Sequence, residues 1–293
     1  MAAITTPTAT SIAIRRQRQR QKTVRYSILI GLQILLAVII LVPYFWMFSV
    51  SIKPGNEPFA IPVRMWPKHP TTQIYENAFY PEFRRYFVNS FVVSVLTMIA
   101  SISVGLLAAY SFGRFRFRGA KPILILIILA QMFPVATMII PLYKLMNHFN
   151  LINTYPALVL AYITLTLPVS IWMLRGFIQS IPADLEEAAM VDGCTRLQAF
   201  WRLVVPLARP GIAATAVWIA VVTWQEFLFA LAFTTTVDMR TISVGMADFQ
   251  GQYGIRYGEL MASSVMVSMP IIVLFFFLQR YFVAGLTAGA TKG

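Results

Sequence analysis

The sequence predicts an all-α polytopic membrane protein with six transmembrane helices. Three observations predict it. Of 293 residues, 58% are apolar and only 12% are charged, whereas about a quarter are charged in an ordinary soluble domain. The apolar residues are gathered into blocks of about twenty or more, enough to cross roughly 30 Å of hydrocarbon as helix. The cationic residues between those blocks are heavily biased to alternate connections, as in a chain threaded through a bilayer.

The chain opens on a stretch, 1–14, rich in Thr and Ala. Arg15, Arg16, Arg18, Arg20, Lys22 and Arg25 follow. Residues 1–25 therefore read as a disordered basic arm. A basic tract of this kind can bind nucleic acid, but here an apolar run follows at once, so it reads as the flank of a membrane anchor. The net charge of +13 thus carries no nucleic-acid reading. A cleaved signal peptide fits poorly, because the run is too long and no small-residue cleavage site follows.

The predicted spans are 26–50, 86–110, 122–143, 155–177, 211–233 and 260–282. The connection 51–85 holds Pro54, Pro58, Pro62, Pro67, Pro70 and Pro81, so it should be extended and short of regular structure. The connection 234–259 holds Gly245, Gly251, Gly254 and Gly258. It is long enough to contact something beyond the membrane. Sixteen lysines and arginines lie on the side of the two termini and of 182–210, and eight on the other. The positive-inside rule then places both termini in the cytoplasm. A tail, 283–293, ends the chain.

Pro43, Pro134, Pro141, Pro168 and Pro270 fall within spans. Two readings are open: kinks beside a translocation path, or irregular packing. Glu226 is the one acidic residue inside a predicted span. A central carboxylate costs about 2.5–3.5 kcal/mol on an insertion scale, so something must offset it. Either Gln225 and Glu226 line a path, or Glu226 makes a structural hydrogen bond.

Much is excluded. Cys194 is the single cysteine and forms no intrachain disulfide, and His69 and His148 stand apart with no metal-ligand spacing. There is no G-x-x-x-x-G-K-[ST] phosphate loop, no H-E-x-x-H and no G-x-S-x-G. No catalytic, cofactor-binding or metal residue is therefore assigned. An intramembrane enzyme would need paired catalytic groups. An ion-coupled secondary transporter would need more intramembrane charge than Glu226 alone.

The polar stretch 182–210, between spans four and five, reads as two short helices with a hinge. Pro182 suits a first helical turn, and Asp184, Glu186 and Glu187 load it with negative charge. Leu185, Ala188, Ala189 and Asp192 share one mostly small face, with Glu187 opposite. Gly193 sits where a left-handed helix stop is wanted. Thr195 with Gln198 forms a capping box for the second helix. That helix carries Leu197, Phe200, Trp201, Val204 and Ala208 at helical spacing, and Pro206 ends or kinks it.

This stretch resembles the EAA loop of bacterial ABC importer permeases. The family pattern is E-A-A, three residues, Gly, nine residues, then Ile-x-Leu-Pro. Here it is Glu187-Ala188-Ala189, Gly193, then Leu203-Val204-Val205-Pro206, with two apolar replacements. Three weaker stretches are similar to the carbohydrate branch, close to the smaller permease of maltose-type importers. They are Trp224-Gln225-Glu226-Phe227-Leu228-Phe229-Ala230, where Asn is common at the Gln225 position, Met132-Phe133-Pro134, and the end from Ala284 to Gly293. The resemblance implies a type I ABC importer transmembrane fold, with a permease core over 86–282 in a bacterial cytoplasmic or inner membrane. It implies Glu186, Glu187, Ala188, Ala189, Asp192, Gly193, Leu203 and Pro206 as the ATPase-coupling residues. It implies that Leu286, Thr287 and Gly289 touch the ATPase. Its partners would be a second permease forming a heterodimer, two copies of an ABC ATPase holding ATP and Mg, and an external solute-binding protein or lipoprotein. The solute stays open among maltose-like oligosaccharides, trehalose, another disaccharide, and a glycerol phosphate ester or other polyol.

Overall fold

The computed structural model describes the backbone of residues 9–251 and 254–290, and the side chains of 22–249 and 256–279. The chain is a helical bundle. Its first helix, α1, runs Ala9–Ser51, so the basic arm is helical from Ala9 onward and not disordered as expected. The reason is local: the run from Arg15 to Lys22 is made of Arg, Gln and Lys, straight-chain residues with high helix propensity.

The connection after α1 is more ordered than its prolines suggest. It holds a 3-10 turn, Glu57–Phe59, and a short helix, α2, Gln73–Ala78. Lys53, which is buried, donates from Nζ to the Arg64 carbonyl at 2.6 Å. Its ammonium also lies over the Trp46 ring at 4.2 Å. The loop is thereby folded back onto the end of α1.

Helix α3 spans Pro81–Arg114 and α6 spans Tyr155–Ser180. They pack side by side in the same direction and form the centre of the bundle. Ser101, Gly105, Ala109 and Gly113 recur every fourth residue on α3, as do Thr166, Ser170, Leu174 and Ile178 on α6. The Ser101 and Thr166 hydroxyls meet at 2.7 Å. A Cβ on Gly105 would lie 3.3 Å from Leu174 Cδ1, and one on Gly113 3.3 Å from Ile178 Cγ2. Small residues thus let two helices approach where lipid supplies no hydrophobic drive.

The third predicted span is broken. Helix α4, Ala120–Leu129, and a 3-10 turn to Met132 meet α5, Val135–His148, at 100°. Pro134 has no N–H to continue the ladder, and Phe133, before it, is driven out of the helical region to ψ 126. Next come the short helices α7, Asp184–Val191, α8, Arg196–Ala199, and α9, Val205–Leu207. The fifth predicted span is also interrupted. Helix α10, Arg209–Gln225, stops at an extended Glu226, and α11, Leu228–Phe233, resumes. After a four-residue helix α12, Ile242–Gly245, and a two-residue antiparallel pair joining Gln250 to Ile255, helix α13 runs Tyr257–Ala290.

Helix α13 overruns the predicted end of span six, so part of the expected 283–293 tail is helix. Small residues such as Ala284, Ala288 and Ala290 favour continuation more than hydropathy suggests. The contacts expected of Leu286, Thr287 and Gly289 lie outside the described residues.

Among the described residues four helices are individually long and apolar enough to cross a membrane, and six spans result if each of two bent pairs counts as one. The second bent pair joins Arg196–Leu207 to Arg209–Gln225 at 70°. Arg196, Arg202 and Arg209 are all exposed there, and exposed guanidinium groups are poor passengers in hydrocarbon. The crossing part is therefore α10.

Candidate functional site

The stretch 182–210 folds as the two-helix element the sequence predicts. Gly193 takes φ +90. Cys194 N donates to Ala189 O at 3.0 Å and Gly193 N to Met190 O at 3.1 Å, the paired bonds of a Schellman stop. Thr195 N donates to Gln198 Oε1 at 2.8 Å and Gln198 N to Thr195 Oγ1 at 3.3 Å, closing the capping box. Between α8 and α9 the backbone widens into a π turn over Phe200–Val204. It lies just ahead of Pro206, where an α-helical ladder would lose a donor.

The faces differ from the sequence reading. Glu186, one of the residues that the resemblance implies for ATPase coupling, points into the protein and is 6% exposed. Its carboxylate accepts from Arg114 Nε at one oxygen and from Tyr110 Oη at 2.9 Å at the other. Arg114 also donates to the Ile181 carbonyl at 2.9 Å. Glu187, Ala188 and Asp192 are exposed, as is Leu185. The small face therefore looks outward together with Glu187, because the buried ion pair fixes the rotation of α7. Ala189 is partly covered.

The second helix turns Phe200 and Val204 inward, with Tyr110, Leu174, Ile178 and Ala208 around them. The Tyr110 and Phe200 rings stand 4.6 Å apart. Leu203 packs at the edge of this cluster and Pro206 is partly covered. Leu197 and Trp201, expected on the packed face, are exposed instead. Val191, one turn after Glu187 on α7, is 87% exposed.

At the break after α10, Gln225 and Glu226 part ways. Gln225 is exposed. Glu226 is buried, and its carboxylate accepts from the N–H groups of Phe229 at 2.8 Å and Ala230 at 3.1 Å. Two backbone donors and the positive end of α11 offset the charge. Of the two readings open for Glu226, this geometry supports the structural one, with the partner in the next helix of its own chain. Ser243 Oγ donates to the Glu226 carbonyl and ties the break to the loop that follows. Among the described residues no three His, Cys, Asp or Glu side chains gather as metal ligands would.

A family model described as "binding-protein-dependent transport system inner membrane component" matches residues 101–288. The chain belongs to this family. As a permease it is the membrane-embedded part of an ABC importer and hydrolyses no ATP itself. It is 39% identical to the sulfoquinovosyl glycerol transport system permease protein SmoH of Agrobacterium fabrum, over 86% of this chain and 89% of that one. It is 36% identical to the trehalose/maltose transport system permease protein MalG of Thermococcus litoralis, over 92% and 97%. In fold it is similar to a chain of a bacterial ABC transporter involved in the import of the acidic polysaccharide alginate. That TM-score is 0.76 at 21% identity, covering 90% of this permease and 98% of that chain.

Proposed function

We propose that this permease forms half of the translocation path for a di- or oligosaccharide, paired with a second permease as a heterodimer. A solute-binding protein delivers the sugar from outside, and two copies of an ATPase that holds ATP and Mg drive its passage. Both termini and the loop 182–210 face the cytoplasm in this reading. The sugar assignment is supported by the relatives SmoH and MalG, whose names specify a glycosyl glycerol and trehalose or maltose. The orientation is supported by the sixteen-to-eight split of cationic residues.

The observation that carries the proposal is the built loop. Two short helices are locked by a Schellman stop, a capping box and a buried ion pair, and they present Glu187, Ala188, Val191, Leu197 and Trp201 outward. A rigid, partly apolar surface of this kind suits a protein partner. Glu187, Ala188, Asp192 and Gly193 then belong to the ATPase contact, and Leu203 and Pro206 to its support. Leu286, Thr287 and Gly289 would add a second contact from the end of α13. Gln225, exposed at the break, is the residue of this chain offered to the path.

The test is reconstitution in proteoliposomes with the partner permease, the ATPase and the binding protein. Sugar-loaded binding protein should raise ATP hydrolysis severalfold, and labelled sugar should accumulate inside. A complex that assembles but responds to no di- or oligosaccharide would remove the carbohydrate assignment.

A further inference from the structure

Helix α3 is 34 residues long, about 50 Å at 1.5 Å per residue. Helices α1, α5, α6 and α13 each contain a proline, and α10 ends at the Glu226 break. Helix α3 has none inside it, its one proline being Pro81 at the first position. Among the described residues it is the one long helix with neither an internal proline nor a break, and kinks arise at such points.

Both ends of α3 are fastened to loops. At the inner end Arg114, its last residue, and Tyr110, one turn earlier, hold the Glu186 carboxylate of α7. Tyr110 also packs on Phe200, beyond α8. Both arms of the two-helix loop are therefore seated on the last turns of α3. At the outer end Asn89 Nδ2 donates to the carbonyls of Asp238 at 2.7 Å and Arg240 at 2.9 Å. Tyr155 of α6 donates to Asn89 Oδ1 at 2.7 Å and sets the amide's orientation. Ser90 Oγ accepts from Ile242 N at 2.8 Å. That outer loop continues to Ser243, which holds the Glu226 carbonyl at the helix break.

We propose that α3 is the rod that carries displacement of the 184–204 loop to the outer loop and the Glu226 break. Glu186 is the positioning residue at its inner end and Asn89 the one at its outer end. A stiff element fastened at both ends moves both loops together. The buried Glu186–Arg114 pair makes the inner fastening hard to slip, because separating it strands a charge away from water. Glu187, one residue on, faces outward and serves contact. Glu186 faces inward and serves transmission. This inference rests on the importer reading above.

The test uses the same reconstituted complex, with stimulation of ATP hydrolysis by sugar-loaded binding protein as the readout. Wild-type stimulation must be present, and its absence would sink the importer reading itself. Glu186→Gln should retain the ATPase on purification but lose about tenfold in the increment of hydrolysis that the loaded binding protein adds, as for one charge-assisted hydrogen bond. Tyr110→Phe keeps the ring against Phe200 and should lose about twofold to fivefold, as for a weaker bond. It carries the inner-end test if Glu186→Gln fails to insert. The exchange Arg114→Glu with Glu186→Arg should restore part of the response. Asn89→Leu should behave like Glu186→Gln, and the two combined should be no worse than either, since they act in series. Loss of the ATPase from Glu186→Gln would make Glu186 a docking residue and overturn the proposal. Full stimulation in the single variants, or additive losses in the double, would overturn it too.

Discussion

Gly193 ends α7 at φ +90, and nothing lies within 4 Å of where its Cβ would be. A substitution there meets backbone strain and no clash. Gly193→Val should cost about 1–3 kcal/mol locally, whereas Gly193→Asn should cost less, because Asn tolerates the left-handed region. Uptake by the reconstituted complex should therefore fall in the order Gly, Asn, Val, and equal loss for Asn and Val would argue against a conformational cause. Glu226 offers a second case. Glu226→Gln keeps one acceptor oxygen but points an amide N–H₂ at the other backbone donor. It should destabilise the purified permease by about 1–3 kcal/mol, read as a lower melting temperature in detergent, and an unchanged midpoint would mean the cap is dispensable. Gly193 and the Thr195 box were legible because their bonds reach only three to five residues along the chain. Glu186 and Glu187 were not separable, since both sit in one acidic first turn. What distinguishes them is Arg114, 72 residues away.

Elements were legible where hydropathy is continuous and illegible where backbone chemistry interrupts it. Five of the six predicted intervals lie wholly or largely within one helix. The apolar run across Phe133-Pro134 is uninterrupted in composition, so it reads as one span although its arms meet at 100°. Pro134 was visible as a kink, but the angle depends on what packs around it. The α3–α6 contact was overlooked because the stripe Ser101, Gly105, Ala109, Gly113 is small rather than strongly apolar. Its spacing of four, mirrored by Thr166, Ser170, Leu174 and Ile178, was the available signal. Gly105→Leu should push the helices apart and cost about 1–3 kcal/mol, as overpacking does. Gly176→Leu is the control, with nothing within 4 Å of its Cβ position. Protease resistance of the membrane-embedded protein should drop for the first and hold for the second. Equal behaviour would mean that the close approach is unimportant.

At the scale of the whole molecule, α1 buries none of its most apolar window within the chain and α13 buries 11%. Within the chain, then, large apolar faces of both helices stay uncovered, as faces turned to lipid do. Which end of the bundle meets the ATPase depends on orientation, and here the physical argument is charge. Lysines and arginines are sixteen on the side of 182–210 and eight on the other, and retention of cations on the cytoplasmic side sets topology. The element that would dock an ATPase and the side richer in cations coincide, although the coupling reading used Glu187 and Gly193 and the orientation used cations of which only Arg196, Arg202 and Arg209 lie in the loop itself. Labelling tests this directly. Cys194 is the sole native thiol, so replacing it with Ser gives a blank. Val237→Cys, exposed beyond α11, should then react in intact cells with an impermeant thiol reagent. Arg118→Cys, exposed between α3 and α4, should react only after the membrane is opened. The reverse pattern would place the two-helix loop outside, where no ATP-driven partner could reach it.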